Sequence, residues 1–258
     1  MRVLVVGCGS IGSRRARLLA EMGHTVTGVD PVAVHGLAFS GPPEQYEGMF
    51  LRAGDALQHG PWEAAFVCTP AETHYEVTRQ CVEAGIPTFI EKPLCVSWAD
   101  LANFGRLDGD RVAGACNLRF AYRSASLFCS CLLLRSNQAL ADWHPGANAA
   151  YRKHGIVLES AIHEIDLARV IQGPIREAHI EGGPCVGGGP DRVLIRLQHD
   201  SCTTLIECDW SDAAILARTA TMINNDTMYQ FAPKTYDADT SDEMYRFEMA
   251  EFLERVGN

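Results

Sequence analysis

Arg2-Val3-Leu4-Val5-Val6 runs straight into Gly7-Cys8-Gly9-Ser10-Ile11-Gly12, and this junction sets the architecture of the chain. A short apolar, β-branched run that stops at glycines reads as a buried parallel strand feeding a tight turn. From Ser13 the pattern becomes helical, with Ile11, Ala16, Leu19 and Ala20 on one face. Gly23 closes that helix, and Thr25-Val26-Thr27-Gly28-Val29 forms a second strand ending in Asp30. The unit is strand, glycine turn, helix, strand, acid.

That order suits a dinucleotide. Gly7 allows the tight turn, Gly9 lets the backbone approach a pyrophosphate, and Gly12 lets the helix pack close to its strand. The free N–H groups at the start of the helix then face the phosphates. Asp30, eighteen residues after Gly12, falls where a carboxylate accepts from both ribose hydroxyls and repels a 2′-phosphate, which favours NAD over NADP. Two blander readings stand beside this: glycine turns also close ordinary hairpins, and a solvated strand-end acid is the lesser reading of Asp30. Arg14 and Arg15 lie close enough to keep NADP open.

The 258 residues accommodate one large domain or two ordinary ones. A hydrophobic fraction of 47% and a net charge of −10 describe a globular chain with nothing to draw it to nucleic acid or an anionic membrane. With one Arg and a four-residue apolar run ahead of Gly7, no leader or membrane span is expected at the start. Ten cysteines form no CxxC pair, so they read as reduced, structural thiols in a cytoplasmic protein, with no metal site expected. Three lysines, Lys92, Lys153 and Lys234, stand against nineteen arginines, so each lysine asks for a reason.

Farther along, residues 31–60 read as loops with one short helix or edge strand. Residues 62–68 form the next strand, ending at Thr69-Pro70. A helix from Glu72 or Thr73 to Ala84 follows, and then a strand over Thr88-Phe89-Ile90 that ends in Glu91-Lys92-Pro93. Another helix starts at Ser97 or Asp100, and 111–116 is a sixth strand. Alternation of this kind predicts a parallel doubly wound sheet ending near Asn117, hence a first domain over 1–117 and a second over 118–258. In the second, a helix is expected within Leu118–Leu134 and another from about Ile156 to Ile171. Segments 178–181, 193–197 and 203–208 alternate as strands of an open, mostly antiparallel sheet. One face of such a sheet needs cover, which points to a homo-oligomer.

Two groups of residues look fit for chemistry. Ligands gather at the carboxyl ends of strands in a doubly wound sheet, and Lys92 lies at such an end. There it would donate a hydrogen bond to a substrate hydroxyl or carbonyl and favour the alkoxide-like oxygen that develops as hydride moves. Pro93 fixes the exit of the strand, and a cis Lys92–Pro93 bond would aim the side chain. The alternative is a surface Lys paired with Glu91. On the helix near residue 160, Glu159, His163 and Asp166 fall within roughly 60° of one another. His163 is the natural general base, with Glu159 orienting it or binding substrate, while an ordinary surface i,i+4 pair is the other reading.

Together these residues resemble the Gfo/Idh/MocA oxidoreductases over nearly the whole chain. The resemblance rests on the Gly7–Gly12 turn, Thr69-Pro70 followed by His74, Ala84-Gly85-Ile86-Pro87 leading to Glu91-Lys92-Pro93, and Glu159 with His163 and Asp166. Asn117-Leu118-Arg119-Phe120 resembles the family's crossing into its second domain. The resemblance implies an α/β Rossmann domain followed by an α+β domain whose open sheet builds dimers or tetramers. It also implies hydride transfer between NAD or NADP and a hydroxyl carbon of a sugar, cyclitol or nucleotide or amino sugar. By position, Lys92 is the catalytic lysine, His163 the acid/base and Glu159 its companion. Gly7, Gly9, Ser10, Ile11, Gly12, Asp30, Thr69, Pro70, His74, Glu91 and Lys92 would surround the cofactor. Arg119, Trp143, Arg152, Glu159 and His163 would join Lys92 around a small sugar-like substrate, with Trp143 stacking on a sugar face and Arg152 pairing with an acid or phosphate. The loop that carries Trp143 reads equally well as packed on its own domain. Two departures stand out: Glu159 replaces the family's usual Asp, and the chain stops soon after Met249, where many members continue to a final helix, so the second domain is expected to be shortened. The alternative function is a non-catalytic dinucleotide-binding regulator or scaffold of the same fold.

Overall fold

The computed structural model describes residues 1–32, 43–122, 129–137, 153–182, 185–186, 189–210, 217–224, 227–231 and 238–257. They fall into two compact units: Met1–Ala115 with Asp242–Asn258, and Cys116–Ser241. The last segment therefore groups with the first unit, not the second as its place in the sequence suggested.

In the first unit six parallel strands, β1 (Arg2–Val6), β2 (Thr25–Val29), β3 (Gly48–Phe50), β4 (Ala64–Val67), β5 (Thr88–Ile90) and β6 (Val112–Gly114), lie in the order β3-β2-β1-β4-β5-β6. Strand order reverses at β1, so the carboxyl edge between β1 and β4 is the switch point at which ligands bind in such sheets. Helices α1 (Ser10–Glu21), α2 (Ala53–Gln58), α3 (His74–Glu83) and α4 (Trp98–Phe104) connect the strands. Ser97 caps α4 by accepting from the Asp100 N–H at 3.0 Å. Val3, Val5, Phe66 and Phe89 on one face pack with Ala16 and Leu19 of α1, and Leu4, Val6, Ala65 and Cys81 fill the other.

The second unit carries β7 (Cys131–Asn137), β8 (Glu177–Gly182), β9 (Cys185–Val186), β10 (Gly189–Pro190), β11 (Arg192–Gln198), β12 (Thr203–Asp209), β13 (Ala217–Asn224) and β14 (Thr227–Phe231). Six of them form a sheet in the order β14-β13-β7-β12-β11-β8, antiparallel except for the parallel β7–β12 pair; β9 and β10 pair with each other. Helix α5 (Ile162–Gln172) covers one face, where Leu167 and Ala168 pack with Leu132, Leu134, Ile195 and Ile206.

Two readings are refined. Within Leu118–Leu134, where a helix is expected, the described residues form a 3₁₀ segment over Asn117–Tyr122 and strand β7 from Cys131, while Leu127 and Phe128 lie outside the described residues; a fully apolar Leu132-Leu133-Leu134 run reads as helix or buried strand until its partners are known. The first helix begins at Ser10, inside the glycine turn, rather than at Ser13. A helix the sequence reading did not place, α6 (Ala238–Gly257), lays Met249, Phe252 and Leu253 into the core of the first unit.

Candidate functional site

The glycine turn has the shape a pyrophosphate requires. Gly7 holds φ at +91°, and a Cβ there would meet the Cys68 carbonyl oxygen at 2.6 Å. A Cβ on Gly12 would meet the Gly7 carbonyl oxygen at 1.7 Å, whereas around Gly9 there is open space to 4 Å. Gly9, Ser10 and Ile11 are exposed, so the first N–H groups of α1 are accessible in a turn that carries no acid. An exposed, uncapped helix start beside an open glycine fits the phosphates of a dinucleotide.

Asp30 braces this turn. One carboxylate oxygen accepts from the Cys8 N–H at 2.8 Å and the other from the Val32 N–H at 2.9 Å. Each oxygen retains a lone pair for a further donor. The arginines that kept NADP open are committed elsewhere. Arg14 pairs with Asp242 at 2.6 Å and stacks on Tyr245, and Arg15 is fully buried between Glu91 and Glu248. Burial alone would lower the Arg15 pKa, and those two carboxylates more than offset it, so the guanidinium stays charged. Burial pushes the Cys8 thiol up to about 11, which leaves it a neutral packing group.

The ends of β4 and β5 are tied together by His74. Its ring, 1% exposed, sets Nδ1 at 2.9 Å from the Pro93 carbonyl and Nε2 at 2.8 Å from the Thr69 carbonyl. His74 therefore braces the loops that carry Thr69, Pro70 and Lys92, with both ring nitrogens turned onto backbone. Thr69 is half-buried and Pro70 exposed. Lys92, half-buried, follows β5 on the same carboxyl edge as the start of α1, and the Lys92–Pro93 peptide is cis. Glu91 is buried, with Oε1 on Arg15 and Oε2 accepting from the Lys92 N–H at 3.2 Å.

In the second unit the helix ahead of α5 widens into one π turn over Val157–Ala161. The π turn holds an extra residue, so the 3.6-residue spacing applies from His163 to Asp166, both within α5, and not to the step from Glu159. Glu159 is buried, and its Oε1 lies 2.8 Å from Nδ1 of His154. Asp166 is held by Arg119, whose Nε donates to it at 2.8 Å. His163 is half-buried in the first turn of α5. Glu159 and Asp166 are thus tied into the unit by His154 and Arg119 rather than standing as solvated surface acids. Trp143 and Arg152 lie outside the described residues.

Arg15, Glu248 and His154 are the site's additions to the sequence reading. Arg15 sits at i, i+3, i+4, i+7 with Gly12, Ala16 and Leu19, and Glu248 at the same spacing with Tyr245, Met249 and Phe252. A charge inside each of two apolar stripes was the available signal that the two are partners. Among the described residues no group of three or more His, Cys, Asp or Glu could hold a metal, and no helix is long and apolar enough to cross a membrane.

Residues 1–107 match the model of an oxidoreductase family with an NAD-binding Rossmann fold, GFO_IDH_MocA. Over these residues the chain is similar to the Gfo/Idh/MocA oxidoreductases. Inositol 2-dehydrogenase 1 of Paenarthrobacter aurescens is 24% identical over 245 residues, spanning 90% of this chain and 70% of that one. A myo-inositol dehydrogenase from Corynebacterium glutamicum superposes with a TM-score of 0.83 at 18% identity, over 100% of this chain and 89% of that one. A UDP-N-acetylglucosamine 3-dehydrogenase from Acidithiobacillus ferrooxidans gives 0.77 at 17% identity, over 100% and 89%. At such identities the solved structures speak to the fold alone. The matched region holds the glycine turn and most of the parallel sheet of the first unit.

Proposed function

We propose that this oxidoreductase transfers hydride between a secondary hydroxyl carbon of a cyclitol or sugar and NAD, with myo-inositol the first substrate to try. The observation that carries the reading is Lys92, one of three lysines in the chain, at the carboxyl end of β5 on the same sheet edge as the exposed start of α1. The inositol dehydrogenases aligned along most of the chain support the substrate class. Asp30 at the end of β2, with Arg14 and Arg15 occupied, supports NAD over NADP.

When bound, NAD accepts the hydride from the substrate carbon. Gly7, Gly9, Ser10, Ile11 and Gly12 would hold its phosphates and Asp30 its ribose, with Thr69, Pro70 and Glu91 along the same edge. Lys92 donates a hydrogen bond to the reacting hydroxyl oxygen and stabilises the negative charge that grows on it. His163 takes the hydroxyl proton, with Glu159 and Arg119 beside it in the second unit as substrate-binding groups. Trp143 and Arg152 complete the proposed substrate set.

The experiment is NADH and NADPH formation across inositols, aldoses and nucleotide sugars. Turnover of a cyclitol with NAD⁺, at least tenfold better in kcat/KM than with NADP⁺, is expected. Tight NADH binding without turnover of any polyol would replace the reading with a dinucleotide-binding regulator.

A further inference from the structure

Helix α6 is fastened to the first unit by two sets of charges that differ in kind. The outer set is a half-buried ladder at the surface: Asp242 receives Arg14 and Arg17, both at 2.6 Å, Arg17 also reaches Glu21 at 2.9 Å, and Arg246 pairs with Glu21. The inner set is buried. Glu248, 4% exposed, accepts from Arg15 Nη2 at 2.9 Å, and Arg15, 0% exposed, donates through Nε to Glu91. The guanidinium is sandwiched by Phe89 at 4.6 Å and Tyr245 at 4.7 Å. Glu91 passes the connection on, since its second oxygen receives the Lys92 N–H.

A charged cluster of this sort is a costly way to hold a helix. Desolvating one guanidinium and two carboxylates removes most of what their attraction returns, and apolar residues of similar volume do as well or better for stability. Phe66, Phe89 and Phe252 already pack α6 onto the sheet, with ring centroids 5.4–5.6 Å apart. What the charges add is direction: a planar fork locked between two rings fixes where the Glu91 carboxylate lies. That carboxylate in turn fixes the backbone from which Lys92 projects.

We propose that Arg15 and Glu248 are positioning residues for Lys92, so that the C-terminal helix sets the geometry of the catalytic edge through Glu248–Arg15–Glu91. The proposal rests on the reading of Lys92 given above. Neither residue touches substrate; each acts through the next, and a displacement of about 1 Å at Lys92 is enough to slow the chemistry strongly.

The test compares Glu248→Gln with Asp242→Asn, which cuts the outer ladder of the same helix, makes no contact with Glu248, Arg15 or Glu91, and reaches the inner set only through Arg14 stacked on Tyr245. NADH affinity, by quenching of protein fluorescence, reports that each variant is folded. Glu248→Gln is expected to lower kcat for myo-inositol oxidation about tenfold, with KM for NAD⁺ and polyol within about threefold, whereas Asp242→Asn leaves kcat unchanged. In a Lys92→Met background Glu248→Gln should cost nothing further, because both act on one group. Glu248→Asp, which keeps the charge, should recover part of the rate, and it takes the place of Glu248→Gln if that variant does not fold. Equal losses in Glu248→Gln and Asp242→Asn, or full additivity with Lys92→Met, overturn the proposal.

If the wild type turns over no polyol, the functional reading fails and the link is still tested by NMR. With only three lysines in the chain, the Lys92 signal of ¹³C-lysine protein is identifiable by Lys92→Arg. A Lys92 response to NAD⁺ that is altered in Glu248→Gln and kept in Asp242→Asn supports the link, and the same response in all three proteins overturns it.

Discussion

Asp30 holds the glycine turn with one oxygen and the chain beyond β2 with the other, so its charge is fixed in place before any cofactor arrives. Removing that charge while keeping the shape should relax the choice of cofactor. Two unit charges about 4 Å apart repel by about 1 kcal/mol in water and by about 4 at a protein surface. Asp30→Asn is therefore expected to raise the NADP⁺/NAD⁺ ratio of kcat/KM at least tenfold, measured with one polyol. Gly12 makes a steric counterpart: a methyl would fall 1.7 Å from a backbone oxygen that cannot step aside. Gly12→Ala should destabilise the fold by about 2 kcal/mol or more in urea unfolding and abolish NADH binding. At this scale the sequence was most informative where sterics leave one residue type, as at Gly7 and Gly12. It was least informative at Arg15, because an arginine on a helix is ordinarily solvated and its burial depends on Glu248, more than two hundred residues away.

Among the elements, α6 decides how much of the first unit is finished. Phe252 lies edge-on to Phe66 with centroids 5.6 Å apart, and Phe252→Ala should cost about 3–5 kcal/mol of stability. The outer ladder gives α6 a pH signature. Burial raises the Asp242 carboxyl, but Arg17 and Arg14 more than offset this and hold it below the usual carboxylate range. A depressed carboxylate stabilises above its unfolded value, near 3.9, and the benefit disappears as pH falls through the lower folded value. The Tm difference between wild type and Asp242→Asn should therefore be constant around neutrality and shrink below about pH 4, a course that scanning calorimetry follows directly. Regular elements such as β1, α3 and β5 were legible because period and punctuation agree in them. The π turn was not, since nothing in Val157–Ala161 departs from helical periodicity until the widened turn is seen.

For the molecule as a whole, the open face of the second sheet remains to be explained. Along β11, Arg192, Leu194, Arg196 and Gln198 are exposed while Val193, Ile195 and Leu197 are buried, and Glu207 on β12 pairs with Arg135 on β7 at 2.9 Å. We propose that this face joins copies of the chain into a dimer or tetramer. Light scattering behind size exclusion should then give a multiple of the 28.2 kDa chain mass that Leu194→Asp reduces. A wild-type monomer would remove the sheet from consideration as an interface. The class of this sheet was legible from β8, β11 and β12, which alternate cleanly. Its centre was not: β7 is parallel to β12 and pairs across some seventy residues, a long-range choice that no local pattern encodes.

Lys92 is where the account is most exposed. The most direct measurement is NADH formation from myo-inositol and NAD⁺ by wild type and Lys92→Met, with NADH affinity determined for both. The expected result is turnover in the wild type that falls at least a thousandfold in the variant, about 4 kcal/mol of transition-state stabilisation, while NADH binding stays within a few fold. Turnover that survives in Lys92→Met would contradict the assignment of this lysine to the chemistry.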